Sequence, residues 1–411
     1  MRTQVERIKK DIEKLSEFNS TSGKGLTRFS FTKEDREARG YIKERMKEAS
    51  LSIYEDPAGN IVGRRNGVNN TSVVMIGSHF DSVKNGGNFD GVAGVVAGLE
   101  IARVLNEENI KTKYSMEFIA MVEEEGGRFG DALFGSRAMA VKVSKDELEH
   151  FRDENGISVA EAMQKFGFDP ANISRAYRDP KTLKAFFELH IEQGPLLEAE
   201  QKDVGIVNAI VGIDWYEVEV IGRPDHAGTT PMNMRADALV LSSFVIQAVN
   251  RLAKESGEGA VATVGEMKVF PGSTNIVPGK VLFTVDIRCQ NANVIKDIAR
   301  EIDKILEEKC RNQGLSYKMV NKVSIPPVKL SEHLIGILTL KSKEMGLNYR
   351  QMVSGAGHDT MIMTKITDTG LVFVPSKNGR SHCPEEWTDY EQIQKGTELV
   401  LAAALDIAEV L

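Results

Sequence analysis

The stretch SVVMIGSHFDSVKNGGNFDGVAGVVAGLEIARVLN, residues 72–106, decides the fold. Its opening run, SVVMIGS, is apolar on consecutive positions, the pattern of a strand covered on both faces. Its closing run predicts a long helix from about Val92 to Asn106. Between them the glycines around Asp90 permit a tight turn into that helix. Working outward, NIVGRR at 60–65, SMEFIAMV at 115–122 and KAFFELHI at 184–191 read as further strands. Apolar spacing at Val5, Ile8, Ile12, Leu15 and Phe18 predicts a first helix, and a second is expected from Lys33 to Ala49. Buried strands alternating with helices define an α/β sheet covered on both faces.

The pattern changes near residue 212. WYEVEVIG at 215–222 alternates strictly, with Tyr216, Val218 and Val220 opposite Glu217 and Glu219, so one face of this strand is wet. A helix at 235–254, strands at 260–270 and 280–289, a helix at 293–312 and a strand at 316–323 follow. This order is that of the ferredoxin-like split unit. Pro326-Pro327 closes it, after which a helix, the strand GLVFVPS at 370–376 and a helix return to the first pattern. The expected organisation is one α/β domain over 1–211 and 326–411, interrupted by an α+β domain over 212–325.

Composition narrows the function. A net charge of −7 argues against a nucleic-acid partner and leaves no basic surface for anionic lipid. The longest uncharged apolar stretch, VAGVVAGL at 92–99, is far short of a membrane span. Cys289, Cys310 and Cys383 are too scattered for a disulfide framework or a zinc knuckle. The charged start MRTQVERIKKDIEKL lacks the apolar core of a signal peptide, so a cytoplasmic location is expected.

Five of the seven histidines lie beside Gly, Asp or Glu at expected strand ends. His79 follows VVMIGS, and Asp90 lies in NGGNFDGVAG. Glu123, Glu124 and Glu125 follow SMEFIAMV, His190 ends KAFFELH, and His382 follows GLVFVPSKNGR. Sites in open α/β sheets gather at the carboxyl ends of the strands, so these loops can converge. Two imidazoles, a carboxylate able to bridge and further N/O donors suit zinc, with manganese, cobalt or nickel possible. Three adjacent carboxylates at the edge of an apolar strand are costly without a cation. One can ligate while its neighbour accepts a proton from water. His150 and His333 stand in ordinary charged helical contexts.

With these motifs in place the chain resembles the metallopeptidase-like amidohydrolases of the M20 group, in the hydantoinase/carbamoylase branch. GSHFDSV at 77–83, GGNFDGVAG at 86–94, EEEGGRF at 123–129 and ELHIEQGP at 188–195 carry the resemblance. HAGTTPM at 226–232, SGAGHD at 354–359 and SHCPEEW at 381–387 extend it along nearly the whole chain. The resemblance implies a mixed-sheet, zinc-peptidase-like catalytic domain and a ferredoxin-like insert that serves as lid and dimerisation domain. It implies two divalent ions: His79 and His190 on one, Glu125 and His382 on the other, and Asp90 bridging. Glu124 would be the general base and Asp81 would brace the His79 imidazole. His226 would support the oxyanion from the partner subunit of a homodimer. Asn275 and Arg288 would clamp the substrate's carboxylate and ureido groups, an Arg fork suiting a carboxylate. Gln193 and the backbone at Gly357 would be further substrate contacts, and His358 either a binding group or a loop-ordering residue.

The activity so implied is hydrolysis of a small ureido acid, R–NH–CO–NH2, with N-carbamoyl-L-amino acids leading and allantoate as the alternative. VNAIVG at 207–212 and PSKNGRSH at 375–382 lean towards allantoate enzymes; YEDPAGNIVGR at 54–64 and SHCPEEW lean towards carbamoylases. A metallo-exopeptidase or aminoacylase of the same group, and a non-catalytic ureido-acid binding protein, are the remaining readings. His190 with Asn275 and Arg288 argues against the first. An intact Glu124 argues against the second.

Overall fold

The computed structural model describes residues 2–411 and divides them into two units. One runs up to Asn208 and includes Leu330–Leu411; the other is Ala209–Lys329. Along the first unit come β1 (Ser52–Glu55), β2 (Ile61–Arg65), β3 (Asn69–His79), β4 (Tyr114–Met121), β5 (Leu183–Ile191) and β6 (Val204–Ile210). The second unit holds β7 (Gly212–Ile221), β8 (Asp225–His226), β9 (Val261–Thr263), β10 (Met267–Phe270), β11 (Ile276–Val277), β12 (Lys280–Cys289) and β13 (Ser316–Ile325). Then follow β14 (Val328–Lys329), β15 (Tyr349–Ser354) and β16 (Thr369–Val374).

In the first unit the sheet order is β1-β2-β4-β3-β5-β16-β6, with β15 beside β6. The four central strands, β4, β3, β5 and β16, are mutually parallel, and β2 and β6 flank them antiparallel. Burial explains this arrangement. Seven consecutive residues of β3, Val73–His79, are buried, and all six of β16 are. Strands so apolar need cover on both faces, which the helices Val92–Glu107 and Tyr390–Ala408 help to supply. Because the central strands are parallel, His79, Met121, Ile191 and Val374 all end on the same edge of the sheet.

The second unit contains an antiparallel sheet in the order β10-β12-β7-β13, with β9 also on β12. Val281, Phe283, Val285, Ile287 and Cys289 of β12 are buried with residues of the helices Ala238–Glu255 and Ala292–Gln313. Thr284, Asp286 and Arg288 occupy the opposite, half-exposed face. The single strand expected at 260–270 is two strands. Val264–Glu266 leaves the ladder, and Thr284 bonds the gap instead, receiving Glu266 N–H on its Oγ1 and donating its own N–H to Glu266 O. Gly265 lies at the centre of this break. The units divide at 208/209 and 329/330 rather than at 211/212 and 325/326, because Val328 and Lys329 pair with Ile210 and Ala209.

Candidate metal centre

Every donor named on the first unit lies at or just beyond the carboxyl ends of its parallel strands. His79 Nδ1 faces the Asp81 carbonyl at 3.3 Å, which leaves Nε2 directed into the cluster. His190 is fixed in the same way, its Nδ1 donating to the Ile191 carbonyl at 2.9 Å. The two Nε2 atoms are 3.4 Å apart. Asp90 divides its carboxylate between two sets of partners. Oδ1 lies 3.1 Å from His190 Nε2 and 3.5 Å from His79 Nε2; Oδ2 lies 3.1 Å from His382 Nε2. Glu125 Oε1 stands 3.3 Å from that same His382 nitrogen. Donor atoms of His79, Asp90 and His190 fall within 4.8 Å of one another, as do those of Asp90, Glu125 and His382, and of His79, Glu124 and Glu125.

The three glutamates separate by role. Glu123 turns inward, and its Oε1 accepts the N–H groups of Arg128 and Phe129, both at 3.3 Å. Burial raises its pKa to about 8. It shapes the loop and offers nothing to the cluster. Glu124 and Glu125 are oriented by Asp81, whose Oδ1 and Oδ2 accept their backbone N–H groups at 3.0 and 3.1 Å. The Asp81 carboxylate thus aligns the end of β4, and its Oδ1 also stands 3.7 Å from His79 Nδ1.

The electrostatics are those of a cation site. Burial, reinforced by neighbouring carboxylates, raises the pKa of both Glu124 and Glu125. Although burial opposes it, the Asp90 pKa is held well below the usual carboxylate range by His190, His382 and His79. His79 is raised well above the usual imidazole value because Glu124, Asp81 and Asp90 outweigh its burial. Asp90 and Glu125 push His382 up to about 11. These directions favour protons on the imidazoles beside the carboxylates when no ion is bound. A divalent cation needs the same nitrogens unprotonated. The ion-free protein is therefore expected to release protons when manganese is added near pH 7, and to bind the ion more weakly as pH falls. A pH-stat titration in weak buffer measures both; uptake without proton release contradicts the assignment.

Several neighbours of the cluster have partners that the sequence does not reveal. Glu386 accepts from the N–H groups of Phe89 and Asp90 and from Ser381 Oγ. Glu188, fully buried, accepts from Ser78 Oγ, Thr360 N–H and Thr360 Oγ1, tying β5 to the residue before His79. Arg28, also fully buried, donates from Nε to the Phe80 carbonyl at 2.7 Å, between His79 and Asp81. Gly91 has φ +63°, and a Cβ there would stand 2.4 Å from the His79 ring. No other residue lets the turn carry Asp90 this close.

Gln193, expected as a substrate contact, has its Nε2 2.7 Å from Asp90 Oδ2 and 3.2 Å from His382 Nε2. Gly357 borders open space: a Cβ there would meet no atom within 4 Å. His358 is buried, packs edge-on against His190 with centroids 4.5 Å apart, and contacts Ser354 Oγ at 3.0 Å. Burial and the nearby His190 hold its pKa well below the usual value, so it supports His190 as a neutral ring.

His226, Asn275 and Arg288 belong to the second unit. His226 is exposed on β8 opposite Ile276, and its Nδ1 accepts the N–H groups of Gly228 and Thr229 at 3.0 and 3.2 Å. The ring proton therefore resides on Nε2. Exposed Asn275 adjoins the same loop, its carbonyl accepting Ala227 N–H. Arg288 makes a fork with Asp286, Nε to Oδ1 and Nη2 to Oδ2, both at 3.0 Å, and Trp215 Nε1 donates to Asp286 Oδ2.

A parallel-centred sheet with this paired donor cluster at its carboxyl edge defines a metal-dependent hydrolase of the peptidase type. Residues 75–406 match the family described as Peptidase family M20/M25/M40, and the chain belongs to it. It is 45% identical over 401 residues to an N-carbamoyl-L-amino-acid amidohydrolase of Paenarthrobacter aurescens, covering 97% of each chain. It is 35% identical to the allantoate amidohydrolase of Escherichia coli, covering 98% of this chain and 97% of that one. A crystal structure of a hydantoinase/carbamoylase family amidase from Burkholderia multivorans superposes with TM-score 0.93 at 34% identity, covering 99% and 98% of the two chains. Among the described residues no helix is long and apolar enough to cross a membrane.

Proposed function

We propose that this protein hydrolyses N-carbamoyl-L-amino acids to the amino acid, carbon dioxide and ammonia, with two divalent ions per chain. The observation that carries this reading is the division of Asp90, one oxygen towards His79 and His190, the other towards His382 and close to Glu125. The nitrogen- and carboxylate-donor set fits zinc or manganese, with cobalt or nickel also suited. Bound there, the ions supply Lewis-acid polarisation of the ureido carbonyl and acidify water. Glu124 takes the proton from the attacking water as oxygen adds to the ureido carbon. His226, through its Nε2–H, stabilises the oxyanion that forms. Glu124 then passes the proton to the leaving amino nitrogen, the C–N bond breaks, and the carbamate released decomposes to carbon dioxide and ammonia.

Arg288 is suited to the substrate carboxylate and Asn275 to the ureido group. Gln193 borders the ions and Gly357 offers backbone to the substrate. The stretch from Lys280 to Arg288 spans about 25 Å of extended strand, and the loop of His226 and Asn275 lies at the Lys280 end. The carboxylate and carbonyl of one small ureido acid are only a few bonds apart. His226 and Arg288 therefore belong to opposite ends of that strand, which supports a homodimer whose partner lends His226. The three unpaired thiols fit a reducing, cytoplasmic location.

The carbamoyl-amino-acid reading is favoured over allantoate by the higher identity to the Paenarthrobacter enzyme. The test is a panel of N-carbamoyl-L-methionine, allantoate and a dipeptide, with manganese and after chelation. The carbamoyl compound is expected to be hydrolysed with the highest kcat/KM, and chelation to abolish turnover. Preference for allantoate would transfer the assignment to that substrate, and activity confined to the dipeptide would reject both.

A further inference from the structure

We propose that Glu386 is a positioning residue that builds the outer ion position, the Asp90–Glu125–His382 group, by locking the Asp90 loop to the His382 loop. The proposal rests on the two-ion reading above. The two ion positions are supported differently. His79 and His190 stand at the ends of β3 and β5, paired parallel strands inside the sheet, and both side chains are buried. His382 sits in a loop with φ +56°, its side chain about half exposed. Among the described residues no strand pairs that loop with residues 86–91; besides Gln193, which touches Asp90 and His382, Glu386 joins the two segments.

Glu386 is 4% exposed, and three donors converge on it. Its Oε1 accepts Phe89 N–H at 2.8 Å and Asp90 N–H at 3.1 Å; its Oε2 accepts Ser381 Oγ at 2.7 Å. Ser381 Oγ is also 3.0 Å from Asp90 Oδ2, so one hydroxyl touches both carboxylates. The fit is close on the other side, where a Cβ on Gly87 would stand 2.2 Å from the Glu386 carboxylate. The neighbouring Trp387 packs edge-on against Phe89 at 5.2 Å, joining the same two segments by an apolar contact. Removing the carboxylate leaves two buried N–H groups without their acceptor and frees the loops to separate. Asp90 then keeps Oδ1 near the strand-borne histidines while Oδ2 loses its alignment with His382.

Glutamine is the informative replacement. Its Oε1 still accepts the Phe89 and Asp90 N–H groups, and its amide can donate to Ser381 Oγ. The serine hydroxyl, with one hydrogen, is then free to donate to Asp90. A positioning role therefore predicts rescue by Glu386→Gln.

The experiment is a manganese titration of the chelator-treated full-length protein, followed by calorimetry and by the paramagnetic signal of free manganese. Wild type is expected to bind two ions. Glu386→Ala should keep one at wild-type affinity and bind the other about 10–100-fold more weakly; Glu386→Gln should bind two. Should Glu386→Ala fail to fold by circular dichroism, Ser381→Ala severs the same tie from the other loop, with the same selective loss expected. Selective weakening with rescue by glutamine supports the proposal. Unchanged affinities, parallel weakening of both ions, or a glutamine variant that behaves like alanine overturns it. A wild-type protein that binds a single ion instead overturns the two-ion reading beneath it.

Discussion

Replacing Glu124 by Gln is expected to lower kcat by at least ~10²-fold while the protein still takes up its ions. Glu124 is 8% exposed, and its Oε2 stands 3.6 Å from His79 Nε2, at the centre of the donor cluster yet outside the pairs that divide Asp90. Burial raises its pKa well above the usual carboxylate value, and the charges of Glu125, Asp359 and Asp81 add to that, while His79 opposes them. A carboxylate so placed is a willing proton acceptor, as a general base must be. Glutamine preserves its volume and leaves the Glu124 backbone N–H on Asp81, so the strand end should not move. Kinetics and metal content measured on the same preparation decide the matter. Loss of ions together with turnover would mean that Glu124 ligates and Glu125 is the base, a possibility that the His79–Glu124–Glu125 group makes specific.

What the sequence carried well was whatever depends on local periodicity. The buried runs around Val73–Ser78, Met116–Met121 and Ala185–Ile191 identify themselves as interior strands, and parallel pairing follows from the helices between them. Strand ends then bring His79, Glu124, Glu125 and His190 together without further information. Strands on the margins were harder to see. β15, Tyr349–Ser354, alternates weakly and carries Arg350 and Gln351, and β6 is a short run whose last residues already leave the first unit. The supports of the cluster were illegible for a different reason. Glu386 meets Asp90 across 296 positions, and its neighbours do not distinguish a buried acceptor from a surface acid. Glu188 lies inside a run that reads as an interior strand, but its partner Thr360 is 172 positions away. A run of three glutamates likewise does not reveal that Glu123 faces the interior, since that depends on where Arg128 and Phe129 place their N–H groups.

Mixing two inactive variants, His226→Ala and Glu124→Gln, is expected to restore activity once subunits exchange. In the proposed homodimer, either variant alone would lack a required group at both sites. If His226 acts on the partner's substrate, the heterodimer has one site with Glu124 from one chain and His226 from the other, both intact, and one site lacking both. Activity should then approach about half of wild type per heterodimer, with the heterodimer fraction set by the association equilibrium. If His226 serves its own chain, each heterodimer site lacks one group and nothing is gained, so the experiment separates the two arrangements by a large margin. Two features favour action in trans. The Gly228 and Thr229 N–H groups fix the His226 tautomer so that an exposed Nε2–H is offered outward, with no partner within its own loop required. Arg288 lies at the other end of β12 from the His226 loop, so if Arg288 holds the substrate carboxylate, a second copy is the natural source of His226. Exchange has to be shown independently, for example by a mass-tagged subunit in native mass spectrometry. Proven exchange without recovery would place His226 at its own chain's site and remove the main support for a shared catalytic centre.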